Sequence, residues 1–431
     1  MAFIFGEGFD DYSVQTDIGL SAAAFTTRCN IVTGRGGAGQ ALQISEPSGL
    51  TAGQATYNIP ASAAAEVIAG FAMQTTGVPA GNGFSMAQFQ YNGAMIFSVV
   101  QNAAASLLFF DATAVNLNAY PFDFVTGLIG SAAYENFASY IEVKLTPGNP
   151  GSVIVRIDGR IVLNTSGILT PATSTLLANF VQTGGTTVTV TADLGQTVPF
   201  RAYINAGLGI APMTVTAKSG AGNTTWTIAP FSSPNNYSAG TTVYLNPAAG
   251  TVNQLQFSTC NPSGGGSALG TWDDLYFCDT SGAQNNDFLG NTRIISQAPS
   301  GDGVLLDWTP SSGTVHFSLV NAYPINYGAT EVTATTAGNQ DSYIFPALPS
   351  LGAFTLLRAI QIVDYCESTS GGTDTITGLA YIGGVSYPGT PQPLPAVWQA
   401  VPTIMELNPA TAAQWTGAGV NGAQFGQKRS A

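Results

Sequence analysis

The chain has 431 residues, and only 8% of them are Asp, Glu, Lys or Arg. An ordinary soluble domain carries about 25%, so this surface must be built mostly from Thr, Ser, Asn, Gln, Gly and Ala. With 11 basic residues against 24 acidic ones, a net charge of −13 and no basic run beyond Lys428-Arg429, nucleic-acid binding and attachment to an anionic membrane are disfavoured.

In chain order, "MAFIFGEGFDDY" lacks the basic leader and apolar core of a secretory signal. "GRGGAGQ" (34–40) has the glycines of a phosphate loop, but no GK[ST] ending and no helix pattern after it. It reads as a hairpin loop. One helical turn is expected over Ser62–Glu66. The most apolar run, "GAMIFSVVQNAAASLLFF" (93–110), has Gln101-Asn102 at its centre and reads as two strands around a turn, not a membrane span. In "VIVRIDGRIVL", Val153, Val155 and Ile157 alternate with Ile154, Arg156 and Asp158, and Asp158-Gly159 supplies a two-residue hairpin turn. "PATSTLLANF" (171–180) is the best helix candidate. "PSGGGSALG" (262–270) reads as a loop between strands.

Short β-branched and aromatic runs separated by Gly, Pro, Asn and Ser clusters predict an all-β chain of antiparallel sandwiches. Residues 168–250 are Thr-rich and charge-poor, and they separate the 153–163 hairpin from "NQLQFSTC" and "TWDDLYFCD". The expected organisation is a jelly roll from 1–167 plus 251–284, with a small β module inserted at 168–250. A second β-sandwich is expected over 285–397. The Gly-rich remainder, 398–431, is expected to be an extended tail docked by Trp415 and Phe425.

"GFDDY", "YIEVKLTPGNPGSVIVRIDGRIVL" and "WDDLYFCDTSG" together resemble the concanavalin A/laminin-G type of jelly roll, in which the first and last strands are neighbours. "DDLYFCDTSGAQNNDFLGNTRIISQAPSGDGVLLDWTPSSG", with "AGNQDSYIFPALPS" and "NPATAAQWTGAGVNGAQFGQK", resembles a family of tailed-bacteriophage virion structural proteins. The resemblance covers 1–165 and 252–431 and leaves out the inserted module. It implies a non-enzymatic virion component, a surface-exposed head decoration or tail-associated protein, with other virion proteins and copies of itself as partners. A receptor-binding, lectin-like adhesin reading a host surface glycan is the alternative, and a capsular polysaccharide depolymerase is a third reading.

The chemistry-bearing residues are few. Asp273 and Asp274 are successive residues of a strand, so they point to opposite faces and cannot serve one site without a bulge. Asp10 and Asp11 meet the same objection. One Asp from each pair could hold Ca²⁺ at the sheet end, but no DxDxDG-type spacing supports it. The favoured alternative is that these carboxylates accept backbone N–H bonds and fix turns. A retaining glycosidase needs two carboxylates about 5 Å apart, as an ExDxE strand would supply. Glu135 and Glu142 are seven apart, Glu367 stands alone near Asp364, and no such run occurs. The single histidine, His316 in "GTVHFSLV", reads as a partly exposed strand residue without a GxSxG elbow. Cys29, Cys260, Cys278 and Cys366 show no CxxC spacing and read as small buried hydrophobes. Trp226, Trp272, Trp308, Trp398 and Trp415 read mainly as core residues. No catalytic, cofactor-binding or metal-binding residue is expected, and no cofactor.

Overall fold

The computed structural model describes residues 3–10, 12, 18, 22, 24–26, 28–35, 39–46, 53–59, 66–76, 84–91, 94–101, 106–111, 116–121, 139–148, 151–167, 173–176, 180–181, 187–193, 198–205, 210–229, 236–237, 239, 241–244, 252–258, 268–322, 330–349, 356–368 and 374–430. The chain is all-β and antiparallel. An eight-stranded sheet runs in the order Arg160–Gly167, Gly151–Ile157, Ser139–Thr146, Val67–Thr76, Ala268–Asp279, Gln40–Glu46, Cys29–Thr33, with Phe3–Glu7 also pairing Ala268–Asp279. A seven-stranded sheet faces it, ordered Asn116–Pro121, Ser106–Asp111, Ala94–Gln101, Phe84–Tyr91, Gln254–Ser258, Gln54–Asn58, Ala24–Phe25. The first strand and the strand ending at Asp279 are neighbours, and the crossovers between sheets make this a jelly roll.

Period-two patterning drives the sandwich. Val153, Val155 and Ile157 turn inward, and Asp158 and Gly159 close the hairpin with φ of 48° and 79°. A two-residue hairpin turn of this kind needs both values positive. The core joins both sheets through aromatic contacts, one edge-to-face and one stacked. Phe257 lies 5.2 Å from both Phe71 and Trp272, and each fully buried ring is worth about 1.5–3 kcal/mol.

Alternation fails over 67–73, where Val67, Ile68, Ala69, Phe71, Ala72 and Met73 are all buried, because both faces of that strand are covered. Ala69 and Phe71 face the sandwich interior, whereas Ile68 and Ala72 pack outward with Tyr140, Tyr276 and Leu289. Gly70 is required there, since a Cβ would collide with the Tyr276 ring.

Residues 173–244 hold a six-stranded sheet, Thr173–Thr175, Thr242–Tyr244, Phe200–Asn205, Ile210–Ser219, Thr225–Ile228, Thr187–Thr189. Among the described residues its core, centred on Trp226, draws on residues between 176 and 243. The helix expected over 171–180 is not formed in its described part. Thr173–Thr175 pairs with Thr242–Tyr244, and Leu176 bridges Val190, so sheet pairing overrides local preference. Residues 62–65 of the turn expected at Ser62–Glu66 and most of the 262–270 loop lie outside the described residues. The run 93–110 forms the strands Ala94–Gln101 and Ser106–Asp111. Among the described residues no helix is long and apolar enough to cross a membrane.

The last unit contains a sheet ordered Gly301–Leu306, Gln340–Ile344, Gln424–Arg429, Thr375–Ile382, Val385–Pro388, and a ribbon of Ile360–Cys366 with Gln399–Met405. The extended tail expected over 398–431 is therefore corrected. Gln424–Arg429 lies between two other strands, and Phe425 and Gln427 are buried. Trp415 does dock, 5.8 Å from Phe425, with its Nε1 donating to Met405 O at 2.8 Å.

Candidate functional site

Three groups of polar side chains among the described residues bear on function. The first is the aspartate pair. The Ala268–Asp279 strand bulges between Asp273 and Tyr276, and Asp274 has φ of 51°, so the two carboxylates are not forced onto opposite faces. Both are buried. Asp273 accepts the Arg35 N–H at 2.8 Å and the Asp274 N–H at 2.7 Å. Asp274 accepts the Ile294 N–H at 2.8 Å and lies 3.3 Å from Arg35 Nη1. Asp10 accepts from Gln40 N at 2.8 Å and Ser296 N at 3.3 Å. Glu142 accepts from Gly290 N at 2.8 Å and Tyr276 OH at 2.6 Å. Asp274, Asp10 and Glu142 thus hold one connecting segment, 290–296, against the jelly roll.

Burial pushes the Asp273 carboxyl up to about 8, helped by the charge of Asp274, and burial also raises Asp274 despite Arg35. Among the described residues no group of three His, Cys, Asp or Glu is placed to hold a metal ion. Asp11 lies outside them. What this cluster does chemically is accept backbone N–H groups.

The second place is His316. It is buried, not partly exposed, and it stands at the start of the short helix Phe317–Val320, not in a strand. Asp302 accepts the N–H groups of His316 and Phe317 at 3.3 and 2.6 Å, which holds the helical turn. His316 Nδ1 lies 2.6 Å from Asp341 Oδ2, which Tyr343 OH also approaches at 3.2 Å, and Gln427 donates to that hydroxyl at 3.0 Å. Asp341 thus joins the strands Gln340–Ile344 and Gln424–Arg429 to the helical turn, and Asp302 of Gly301–Leu306 holds that turn through a second carboxylate.

The third place has no counterpart among the residues singled out from sequence. On the outer face of the seven-stranded sheet, cross-strand pairing aligns Asn58, Gln254 and Gln90 in one row. Thr56, Gln256, Gln88 and Ser98 form the next. Gln90 Nε2 donates to Gln88 Oε1 at 3.0 Å and Gln256 Oε1 at 3.2 Å, and Gln256 Nε2 donates to Thr56 Oγ1 at 3.2 Å. Thr56, Gln90 and Ser98 are buried, Gln88, Gln254 and Gln256 half-buried, and Asn58 exposed. Neither row contains a charge. The signal is present in "QATYN", "QFQ" and "QLQ", where amides alternate with core residues; the pairing that aligns them is not.

The remaining sequence candidates fall apart spatially or into structural roles. Glu135 and Cys260 lie outside the described residues. Cys29 and Cys278 are buried, and burial raises both thiols. Trp226, Trp272 and Trp415 are core residues, whereas Trp308 and Trp398 are half-buried and line a cavity in the last unit, as do Asp364 and Glu367.

No family model matches the chain, and no curated protein matches it. Solved structures similar to it include a sialidase (10% identity, TM-score 0.31, covering 65% of this chain and 19% of that one). A second, "Cell entry of botulinum neurotoxin type C is dependent upon interaction with two ganglioside molecules", is 10% identical with a TM-score of 0.34, and the match covers 99% of this chain and 98% of that one. A third is the Emp46p carbohydrate recognition domain in its potassium-bound form (7% identity, TM-score 0.24, covering 63% and 98%). The chain spans about a fifth of the sialidase. At these TM-scores the likenesses assign no activity.

Proposed function

We propose that the chain is a non-enzymatic glycan-binding protein whose binding surface is the amide face of the seven-stranded sheet. The observation that carries this is the pair of uncharged rows, Asn58–Gln254–Gln90 and Thr56–Gln256–Gln88–Ser98. Sugar hydroxyls both donate and accept, and a carboxamide offers both functions. Strand spacing of about 4.8 Å sets these groups in a regular array. A face without charge suits a neutral polysaccharide. The setting we propose is the surface of a tailed-phage particle, as a head decoration or tail-associated protein. The sequence resemblance supports it, as does a charge-poor surface that can be buried against other subunits with little desolvation of charge.

A glycan array with a polysaccharide-release assay on the purified protein tests the binding reading. We expect binding to neutral glycans without release of reducing ends, and a loss of about tenfold or more in Gln256→Ala/Gln88→Ala, at roughly 1 kcal/mol per hydrogen bond. Unchanged binding in that variant, or cleavage of the glycan, would overturn it. Mass spectrometry of purified phage particles tests the setting.

A further inference from the structure

A partly open cavity of about 1460 Å³ lies beside the Ile360–Cys366 ribbon, walled by the last unit and by jelly-roll residues such as Phe3, Phe5 and Tyr12. Ligand sites ordinarily occupy about 300–1,000 Å³, so there is room for a small molecule. Its lining is largely apolar and aromatic, including Ile360, Ile362, Phe345, Trp308 and Trp398. Asp364 lies among these residues, and its Oδ2 is buried without a hydrogen-bond partner. Among the described residues the other buried side-chain polar atoms so placed are Tyr57 OH, Arg156 Nε and Trp272 Nε1. Asp364 is the one carboxylate. An unsatisfied buried acceptor costs about 1–3 kcal/mol, and more when charged. The three arginines of the cavity wall are engaged elsewhere: Arg429 pairs with Asp374 at 2.8 Å and donates to Ala334 O at 2.6 Å, Arg293 donates to Arg35 O at 3.1 Å and Arg358 to Leu289 O at 3.0 Å.

We propose that this cavity binds a small apolar compound carrying one cationic amino group, the ammonium meeting Asp364 and the apolar body packing on the ribbon and the two tryptophans. Each feature of the ligand answers one of the wall. The carboxylate lacks a donor, the aliphatic lining favours hydrocarbon, and indole faces attract cations. Burial pushes the Asp364 carboxyl up to about 7. The titratable groups coupled to it are Tyr343 on the opposing sheet and Cys366 on its own strand, with Glu367 and the Asp374–Arg429 pair on the same cavity wall.

Calorimetric titration of the full chain at pH 8 with n-octylammonium, n-octanol and octanoate tests this. Octylammonium should bind at least tenfold more tightly than the other two. Asp364→Asn should remove that preference and leave octanol binding unchanged. Equal affinity for all three probes, no binding of octylammonium, or a preference that survives in Asp364→Asn would overturn the proposal. Should that variant fail to fold, thermal melting of the unaltered protein decides. Octylammonium should raise the Tm at pH 8 and do so much less at pH 5.5, where Asp364 is protonated. An equal rise at both pH values would refute the assignment.

Discussion

Arg35 and Asp274, 239 residues apart in sequence, meet at the point where the last jelly-roll strand changes partners, with Arg35 Nη1 3.3 Å from Asp274 Oδ2. Up to Trp272 this edge pairs with Gln40–Glu46, and from Leu275 it pairs with Phe3–Glu7. Asp273 and Asp274 occupy the gap between those partners. Their carboxylates accept the N–H groups of the Arg35 loop and the 290–296 connection, which supply the hydrogen bonds there.

Arg35→Ala should therefore destabilise the protein by about 2–4 kcal/mol, because it leaves a buried carboxylate without its cation. Asp274→Asn in the same background should add less than it costs alone. Urea unfolding of the two single variants and the double variant measures the coupling, and strict additivity would show that the pair is not an interacting unit.

The raised carboxyls make stability pH-dependent. Asp273 binds its proton more tightly folded than unfolded, so its contribution is fully present below about pH 4 and is lost as pH rises through about 8. The Tm should fall between pH 5 and 8.5, with a smaller share from Asp364. Asp273→Asn should flatten most of that slope. A Tm that rises with pH over this window would contradict the assignment.

The same residues show what could be read from sequence. Asp158-Gly159 announces its hairpin because the turn chemistry is local. The bulge at Asp274 is invisible there, since it depends on two edge partners far away in the chain. The amide rows are half legible: alternation places Gln88 and Gln90 on one face, but only pairing across 200 residues sets Gln256 beside Thr56. His316 departs from its apparent strand pattern because Asp302, 14 residues earlier, captures the start of a helical turn.

His316→Ala should cost about 2–3 kcal/mol, because it removes a 2.6 Å partner from the fully buried Asp341. Glycan binding, on the other unit, should be unchanged. Calorimetric Tm and array binding on the same preparation check both halves, and loss of binding in a folded variant would count against separate roles.

EDTA should leave the Tm unchanged, because the Asp273–Asp274 oxygens are engaged by N–H groups and the arginine. A drop of several degrees, restored by Ca²⁺ and absent in Asp274→Asn, would establish a calcium site at the sheet end.

The inserted module should be separable. Its six-stranded sheet pairs internally, and among the described residues its core lies between Leu176 and Val243. The jelly-roll strands that flank it, Arg160–Gly167 and Gln254–Ser258, belong to different sheets and are each held by their own neighbours. Loop-closure entropy grows slowly with length, so replacing residues 168–250 by a short Gly-Ser bridge should leave a soluble, folded remainder. Trp226→Ala gives the complementary result. Emptying a fully buried indole site costs about 3–5 kcal/mol, which should unfold the module while the jelly roll keeps its own transition. Differential scanning calorimetry should then show one melting step lost or moved to low temperature and the other unmoved. A single cooperative transition that shifts as a whole would mean that module and sandwich fold as one unit.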